Sequence, residues 1–265
     1  MEISAKDIAA LRTLTGAGIL DCRRALQETG GDQEAAALWL RENGLVSAAK
    51  RSDRENTEGA VAVVVTGEHP VGAIVELKCE TDFVAKSADF VSLVDKLAAT
   101  LASDGEAALE ALAPEVDELK VALKENIALG RVSRFEAAEG SVLGSYLHVQ
   151  AERGVNAVLV ELNGGTPDLA HDIAVHIAFA RPEYLRREDV PAELVETERK
   201  TVEAIALNEG KPEAALEKII DGRMTGWYKE RVLLEQSYVR DEKKSISDFL
   251  GGATLVRFAQ VAIGS

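Results

Sequence analysis

Cysteine and long apolar runs, on which many proteins rely, are scarce in this sequence. Its 265 residues include two cysteines, Cys22 and Cys79. They stand in segments that we predict to fold separately, so we expect reduced thiols rather than a structural disulfide. No stretch approaches the roughly eighteen uninterrupted apolar residues of a membrane-spanning helix, and the first residues lack the basic and then apolar layout of a secretory signal. These absences predict a cytoplasmic protein with no membrane contact.

Positive charge is also scarce. The chain has 30 lysines and arginines against 45 aspartates and glutamates, for a formal net charge of −15. Proteins that grip a nucleic-acid backbone draw on clustered lysine and arginine, so we expect no direct contact with nucleic acid. The best basic cluster, Lys50–Arg54, is predicted to be a solvated linker. An acidic surface that docks a partner protein fits this charge balance better.

The usual signals of catalytic chemistry are missing. The sequence has no P-loop pattern, no glycine fingerprint of a dinucleotide-binding fold and no G-x-S-x-G turn, so we expect no cofactor. His171 and His176 are five residues apart, which places them on different faces of a helix. Cys79 could still pair with a histidine that is near only in space, although a cysteine at a strand end is more typically buried. We predict that the chain is not an enzyme, with a small metabolic enzyme as an alternative.

The first 54 residues predict a unit of three short helices. Ser4 can cap the first helix together with Asp7, and two glycines before residue 19 allow a tight reversal. Asp32 can cap the third helix, which we expect to end at Gly44. Ile19 and Leu20 start the second helix, and either could be core or surface. The apolar side chains that share one face of the first helix are Ile8, Leu11 and Leu14.

An internal repeat follows a short linker. Glu58–Val61 recurs as Glu139–Val142, and Ile74–Leu77 recurs as Leu159–Leu162. Each copy has the pattern strand, turn, strand, polar loop and helix, which predicts an α+β fold whose core is two related halves with antiparallel sheets. A last strand near residues 254–258 is expected to complete the second sheet.

Two further helical regions surround the second copy. One is predicted to start at Pro114 and to continue to Leu129. The other is an antiparallel helical hairpin inserted into the second half. We therefore divide the chain into a three-helix domain at 1–54, a first core half at 55–138, a second core half at 139–183 plus 227–265, and the hairpin insertion at 184–226.

The segment between the second predicted strand and the next helix is the most distinctive part of the chain. Phe83 stands there between Asp82 and Val84, in otherwise polar surroundings. It could fold back into the core or serve as an exposed apolar anchor for a partner. The corresponding loop of the second copy, Asn163–Pro167, has no such residue. A core role should recur in both copies, so the difference favours an exposed site.

Two stretches carry a family resemblance. Cys79–Lys86 matches the pattern C-x-T-D-F-V-A-[KR] at every fixed position, and Leu11–Leu26 is similar to L-R-x-x-T-G-A-G-[ML]-[ML]-D-C-K-x-A-L. At these residues the sequence resembles the bacterial elongation factor Ts family, the nucleotide-exchange factors for the GTPase elongation factor Tu. The resemblance extends over essentially the whole chain. We call Cys79–Lys86 the exchange loop.

The resemblance implies a protein that binds GDP-bound and nucleotide-free elongation factor Tu, as a heterodimer or higher assembly, and promotes GDP release. It also implies that the three-helix unit is of the ubiquitin-associated (UBA-like) type. In the family, the Asp-Phe pair of the exchange loop inserts near the Mg²⁺ and phosphate site of the GTPase. His176 aligns with a family histidine but could equally be a core residue. The implied contact residues are Thr81, Asp82, Phe83 and Val84 in the exchange loop, and Arg12, Ile19, Leu20 and His148 elsewhere.

The chain departs from the family pattern at two places. Lys124 stands where the family often has glycine, and the sequence stops at Ser265, before a helix that some members add. Among other classes of protein, we keep open an adaptor or chaperone-like module that uses the three-helix unit to recruit a client and has no exchange activity.

Overall fold

The computed structural model describes residues 3–67 and 69–264, and over this part the chain has the α+β fold that the sequence predicts. Three helices come first, and two three-stranded antiparallel sheets and a helical hairpin follow. Residues 1, 2, 68 and 265, which fall within the predicted domains, lie outside the described residues. The exact division into domains stays a prediction.

The N-terminal unit consists of α1 (Ala5–Thr15), α2 (Ile19–Glu28) and α3 (Gln33–Ala49). Ser4 and Asp7 form the predicted capping box at the start of α1. A small buried cluster holds the three helices together; its members are Leu11, Cys22, Ala25, Leu26, Ala36 and Leu40. Leu14 does not join it, contrary to the helix-face pattern, because its side chain is largely exposed.

The third helix does not end at Gly44, as expected, but continues to Ala49. The structure gives this glycine another role. A Cβ atom built on Gly44 would lie 2.4 Å from Cγ1 of Val121, which belongs to α6 (Ala113–Leu123). Glycine therefore allows α3 and α6 to approach closely, and the pattern alone could not separate this role from a cap.

The first sheet has the order β1-β2-β3, and helices α4 and α5 follow its central strand. The prediction that the helix starting at Pro114 reaches Leu129 is wrong in its second part. Helix α6 ends at Leu123 because Lys124 adopts the left-handed conformation (φ 59°). A strand then begins at Ala128. The elements are β1 (Glu58–Thr66), β2 (Val71–Cys79), α4 (Asp82–Ala85), α5 (Ala88–Asp104), a 3₁₀ segment (Glu106–Leu112), α6 and β3 (Ala128–Glu136).

The second sheet has the order β4-β5-β8, and the last strand completes it as predicted. Its strands are β4 (Ser141–Gln150), β5 (Arg153–Asn163) and β8 (Thr254–Ala262), and α7 (Pro167–Ala180) covers its outer face. The two sheets pack against each other, with α5 on the far side of the first and α7 on the far side of the second. The residues buried between the sheets are Val61, Ile74, Phe135, Leu143, Ala157, Leu159 and Val261.

The repeat extends to a buried glutamate with a half-exposed arginine partner in each half. Glu76 in β2 receives two hydrogen bonds from the Arg131 guanidinium (3.1 and 3.2 Å), and Glu161 in β5 receives one from Nε of Arg257 (2.6 Å). Each arginine also reaches the other sheet: Arg131 donates to the carbonyl oxygen of Ala262, and Arg257 to that of residue 136. Both glutamates are almost fully buried, so these bonds satisfy groups that would otherwise be costly to desolvate.

The helical hairpin contains α8 (Ala192–Asn208) and α9 (Glu213–Arg231). Helix α9 runs past residue 226, where the predicted insertion ends, because Trp227 packs into the hairpin's own apolar cluster. A bridge between Tyr184 and Val232 closes its base. The remaining elements are two 3₁₀ segments (Arg187–Asp189 and Leu233–Glu235), β6 (Ser237–Tyr238), β7 (Asp241–Ser245) and α10 (Ile246–Leu250). In the described part of the chain, no helix is long and apolar enough to cross a membrane.

We predict that Gly44→Ala lowers the free energy of unfolding by roughly 0.5–2 kcal/mol, because overpacking against Val121 costs about 1–3 kcal/mol and the helix gains about 0.5–1 kcal/mol from alanine. Gly222, inside α9, is the matched control: no atom lies within 4 Å of its built Cβ, so Gly222→Ala should stabilise the protein by about 0.5–1 kcal/mol. Urea unfolding of the two variants checks both signs. Val121→Ala should restore most of the loss in Gly44→Ala, and a Gly44→Ala protein as stable as the parent would show that the contact is not tight.

Candidate functional site

The centre of the exchange loop is a single helical turn rather than an irregular polar loop. Thr81 caps it, with its hydroxyl oxygen accepting a hydrogen bond from the backbone N–H of Val84 (3.4 Å). Ala85 is buried beneath the turn, and Val84 packs against the apolar cluster between the first sheet and α5. Phe83 points the other way and is 82% exposed. The turn is thus anchored on one side and presents a large apolar ring on the other.

A charge lies beside this ring. Asp82 forms an ion pair with Lys86, four residues later, and the ammonium nitrogen of Lys86 lies 5.9 Å from the centre of the Phe83 ring. The hydrogen bond from Lys86 lowers the pKa of Asp82 below its ordinary value. The carboxylate is therefore ionised at neutral pH, and the turn places an ion pair and an exposed apolar ring side by side.

The underside of the exchange loop is held by residues that come after α6, which the sequence did not single out for this role. The Glu125 carboxylate accepts hydrogen bonds from the backbone N–H groups of Glu80 (3.0 Å) and Thr81 (3.1 Å) and from the Thr81 hydroxyl (2.5 Å). In return, Glu80 Oε1 accepts from the backbone N–H of Asn126 (2.7 Å). Hydrogen bonds here join two segments that are 44 to 46 residues apart along the chain.

The three-helix unit presents exposed apolar side chains near its first loop. Ile19 is 55% exposed and Leu20 is 79% exposed, so the option that they are core is wrong. Arg12, on α1, is exposed as well. Leu14 also lies on this surface. Its position near the end of α1 was the one feature of the sequence that could have indicated its exposure. These side chains are available to a partner, and their role as contacts stays a prediction.

Lys124 connects this surface to the exchange loop. Its ammonium nitrogen lies 2.7 Å from Oδ2 of Asp21, the residue after Leu20, and its neighbour Glu125 binds the loop. Its backbone has φ 59° and ψ 29°, a conformation that glycine adopts at lower cost. The lysine thus stands where glycine would be easier to accommodate, and it gains an ion pair between α2 and the end of α6.

His148 lies on β4 with its side chain exposed. The Tyr146 hydroxyl is 3.3 Å from its Nδ1 atom, and the Tyr146 ring also lies edge-on to His171, with centroids 6.2 Å apart. Tyr146 and His171 were not singled out as contacts from the sequence. His176 is different: it is fully buried, its Nε2 atom is 3.0 Å from Oε1 of Gln236, and burial lowers its pKa. It is therefore a core residue.

Cys79 has none of the properties of a nucleophile. Its side chain is fully buried at the end of β2, and its thiol donates to the carbonyl oxygen of Thr81 (3.2 Å). Burial raises the pKa of the thiol to about 12, whereas reactive cysteines have lowered pKa values. Among residues 3–67 and 69–264, no group of three or more His, Cys, Asp or Glu side chains could hold a metal ion.

Comparisons with known proteins cover almost the entire chain. A family model described as Elongation factor TS matches residues 80–265. Elongation factor Ts of Arthrobacter sp. (strain FB24) is 44% identical over 99% of this chain and 99% of its own length. The protein of the same name from Symbiobacterium thermophilum is 42% identical over 92% of this chain and 84% of its own length, and that from Deinococcus deserti is 40% identical over 98% and 99%.

We predict that both cysteines of the folded protein react slowly with a disulfide reagent such as DTNB at pH 8. With a thiol pKa of about 12, Cys79 would be thiolate in only about one molecule in ten thousand, against roughly a quarter for a free cysteine. We expect rates at least about a hundredfold below that of free cysteine, and two fast thiols after unfolding in guanidinium. One fast thiol in the folded chain would contradict this assignment and reopen the enzyme alternative.

Proposed function

The chain belongs to the elongation factor Ts family, and we propose that it is the guanine-nucleotide exchange factor for elongation factor Tu. It would promote GDP release during translation elongation in the cytoplasm, acting on the nucleotide site of its partner without covalent chemistry of its own. The observation that carries this proposal is the exposed Phe83 beside an ionised Asp82 on a capped turn.

Exchange of this kind follows from differential binding. The factor must bind nucleotide-free elongation factor Tu more tightly than the GDP-bound form, and linkage then requires that it weakens GDP binding by the same factor. A factor with equal affinity for both forms would shift nothing, however tightly it bound. The proposal therefore needs a feature that favours the nucleotide-free partner, and the exchange loop supplies one.

We assign the two side chains of the turn different parts in this step. A nucleotide phosphate is held by backbone N–H groups and by Mg²⁺, and both depend on close packing around the site. Phe83 would insert as an apolar wedge that separates packed elements of the partner. Asp82 would bring a carboxylate close to the Mg²⁺ surroundings. Thr81 and Val84 complete the contact at the two ends of the wedge.

Other surfaces would supply affinity rather than strain. Ile19 and Leu20, with Arg12 nearby, offer exposed apolar anchors on the three-helix unit, and His148 offers a contact on the second sheet. We propose that the product of these contacts is a heterodimer or higher assembly with elongation factor Tu, with no direct contact to nucleic acid. The exposed Ile19 and Leu20 would also suit an adaptor, which would bind without accelerating GDP release.

Phe83→Ala should leave stability almost unchanged and reduce the maximum rate of GDP release well beyond any loss of affinity. An exposed ring leaves no cavity when it is removed. Phe90, seven residues later and fully buried, is the matched control: Phe90→Ala should cost about 3–5 kcal/mol of stability. Thermal melts and stopped-flow release of fluorescent GDP from elongation factor Tu check both. Full exchange activity in Phe83→Ala would remove the wedge from the proposal.

The double variant Ile19→Ala/Leu20→Ala should bind elongation factor Tu about 1–3 kcal/mol more weakly, or roughly 5–150-fold, as expected for exposed anchors. Its melting temperature should not fall, because neither side chain is in the core. Leu38→Ala, which removes another exposed leucine of the same unit, should leave the affinity unchanged. Titration calorimetry gives the affinities, and equal binding by the double variant and the parent would move the contact elsewhere.

A further inference from the structure

We propose that Glu125 is a positioning residue, which holds the exchange loop in the orientation that presents Phe83. The inference rests on the proposed exchange function and adds a residue to it. Glu125 does not stand in the loop or on an exposed anchor surface. It follows the left-handed residue Lys124 that ends α6, and this reversal turns the chain so that the Glu125 side chain meets the end of β2.

The two carboxylate oxygens of Glu125 accept three hydrogen bonds from the exchange loop. Its Oε2 atom receives the consecutive backbone N–H groups of Glu80 (3.0 Å) and Thr81 (3.1 Å), and its Oε1 atom receives the Thr81 hydroxyl (2.5 Å). All three donors come from the two residues directly before α4. Hydrogen bonds to an ionised acceptor are shorter and stronger than neutral ones, so the start of the turn is fixed tightly.

The hydrogen bond from the Thr81 hydroxyl to Glu125 also determines how Thr81 caps the turn. A hydroxyl has one proton to donate, and Thr81 gives it to Glu125, which leaves a lone pair to accept the N–H of Val84 (3.4 Å). Glu125 therefore selects the Thr81 rotamer that caps α4. A helix of four residues is far below the length that is stable by itself, so α4 depends on this cap and on the buried Ala85.

The support is reciprocal and reaches the linker that follows the three-helix unit. Glu80 accepts the backbone N–H of Asn126 (2.7 Å), and the Asn126 side chain donates to the carbonyl oxygens of Ser52 (3.0 Å) and Arg54 (2.6 Å). The end of β2, the start of β3 and the linker thus form one hydrogen-bonded unit. Removing Glu125 would leave two half-buried N–H groups without their acceptor and would free the turn that carries Phe83.

The test uses the full chain with three substitutions. Glu125→Ala removes the acceptor, Glu125→Asp keeps the charge but shortens its reach, and Glu125→Gln keeps one oxygen at the same reach. We expect Ala and Asp to lower the maximum rate of fluorescent GDP release from elongation factor Tu by about tenfold or more, with little change in the half-saturating concentration, because a small misplacement of a working group is costly. Gln should recover most of the rate.

A local readout separates positioning from general stability. Amide hydrogen exchange of Glu80–Ala85 should speed up at least about tenfold in Glu125→Ala and Glu125→Asp, while the rest of the chain and the melting temperature stay close to the parent. Glu110→Ala, which changes an exposed glutamate of the 3₁₀ segment, should match the parent in every measurement. If Glu125→Ala does not fold, Glu125→Asp and Glu125→Gln carry the comparison.

Three results would overturn the proposal: an unchanged maximum rate in Ala and Asp, unchanged protection of Glu80–Ala85, or a loss of protection spread over the entire chain. Failure of the exchange function gives a different result. If the parent chain does not accelerate GDP release, the function is wrong, and faster exchange of Glu80–Ala85 in Glu125→Ala still supports the hold of Glu125 on the loop.

Discussion

The packing of one three-stranded sheet against another is the constraint on which the rest of this structure depends. It buries the central strands on both faces, and it takes two carboxylates, Glu76 and Glu161, out of water. Arg131 and Arg257 offset that cost, and each also bonds to the opposite sheet. Removing the side chain of either arginine would leave a buried carboxylate without its guanidinium partner, which is costly. The same two arginines therefore stabilise the buried glutamates and join the two halves, and one of these glutamates lies in β2, the strand that leads into the exchange loop.

The exchange loop begins at the last residue of β2. A four-residue helix has little stability of its own, and an exposed phenylalanine side chain contributes almost no burial that would stabilise it. The buried Ala85, the Thr81 cap and the bonds to Glu125 hold the turn from beneath. Because the support lies entirely on the inner side, the outer side is free to carry an apolar ring and an anion. Support from below and exposure above are what the proposed role of Phe83 requires.

The two halves show how such a turn can be added to a repeated scaffold. In the second half, Thr166 caps α7 directly, so the chain passes from β5 to the covering helix without an intervening turn. In the first half, Thr81 caps the short α4, and α5 begins only at Ala88. One additional turn separates strand from helix there. The strands and the covering helix are arranged alike in both halves, and the distinctive surface is confined to the additional turn α4.

Local patterns in the sequence were sufficient for the α+β class, the repeat, the capping of α1 and the exposure of Phe83, because each depends on neighbouring residues or on comparison of the two copies. They failed at Gly44, Leu14 and the end of α6, where a distant contact or a left-handed residue decides the outcome. They also could not assign Glu125 to the support of the exchange loop, since nothing in its neighbours indicates that its side chain meets the loop at Glu80 and Thr81. The sequence by itself determined the fold class, the repeat and which strand-to-helix connection is distinctive. Only the tertiary structure decided what holds that turn, because the hydrogen bonds that do so join residues more than forty positions apart.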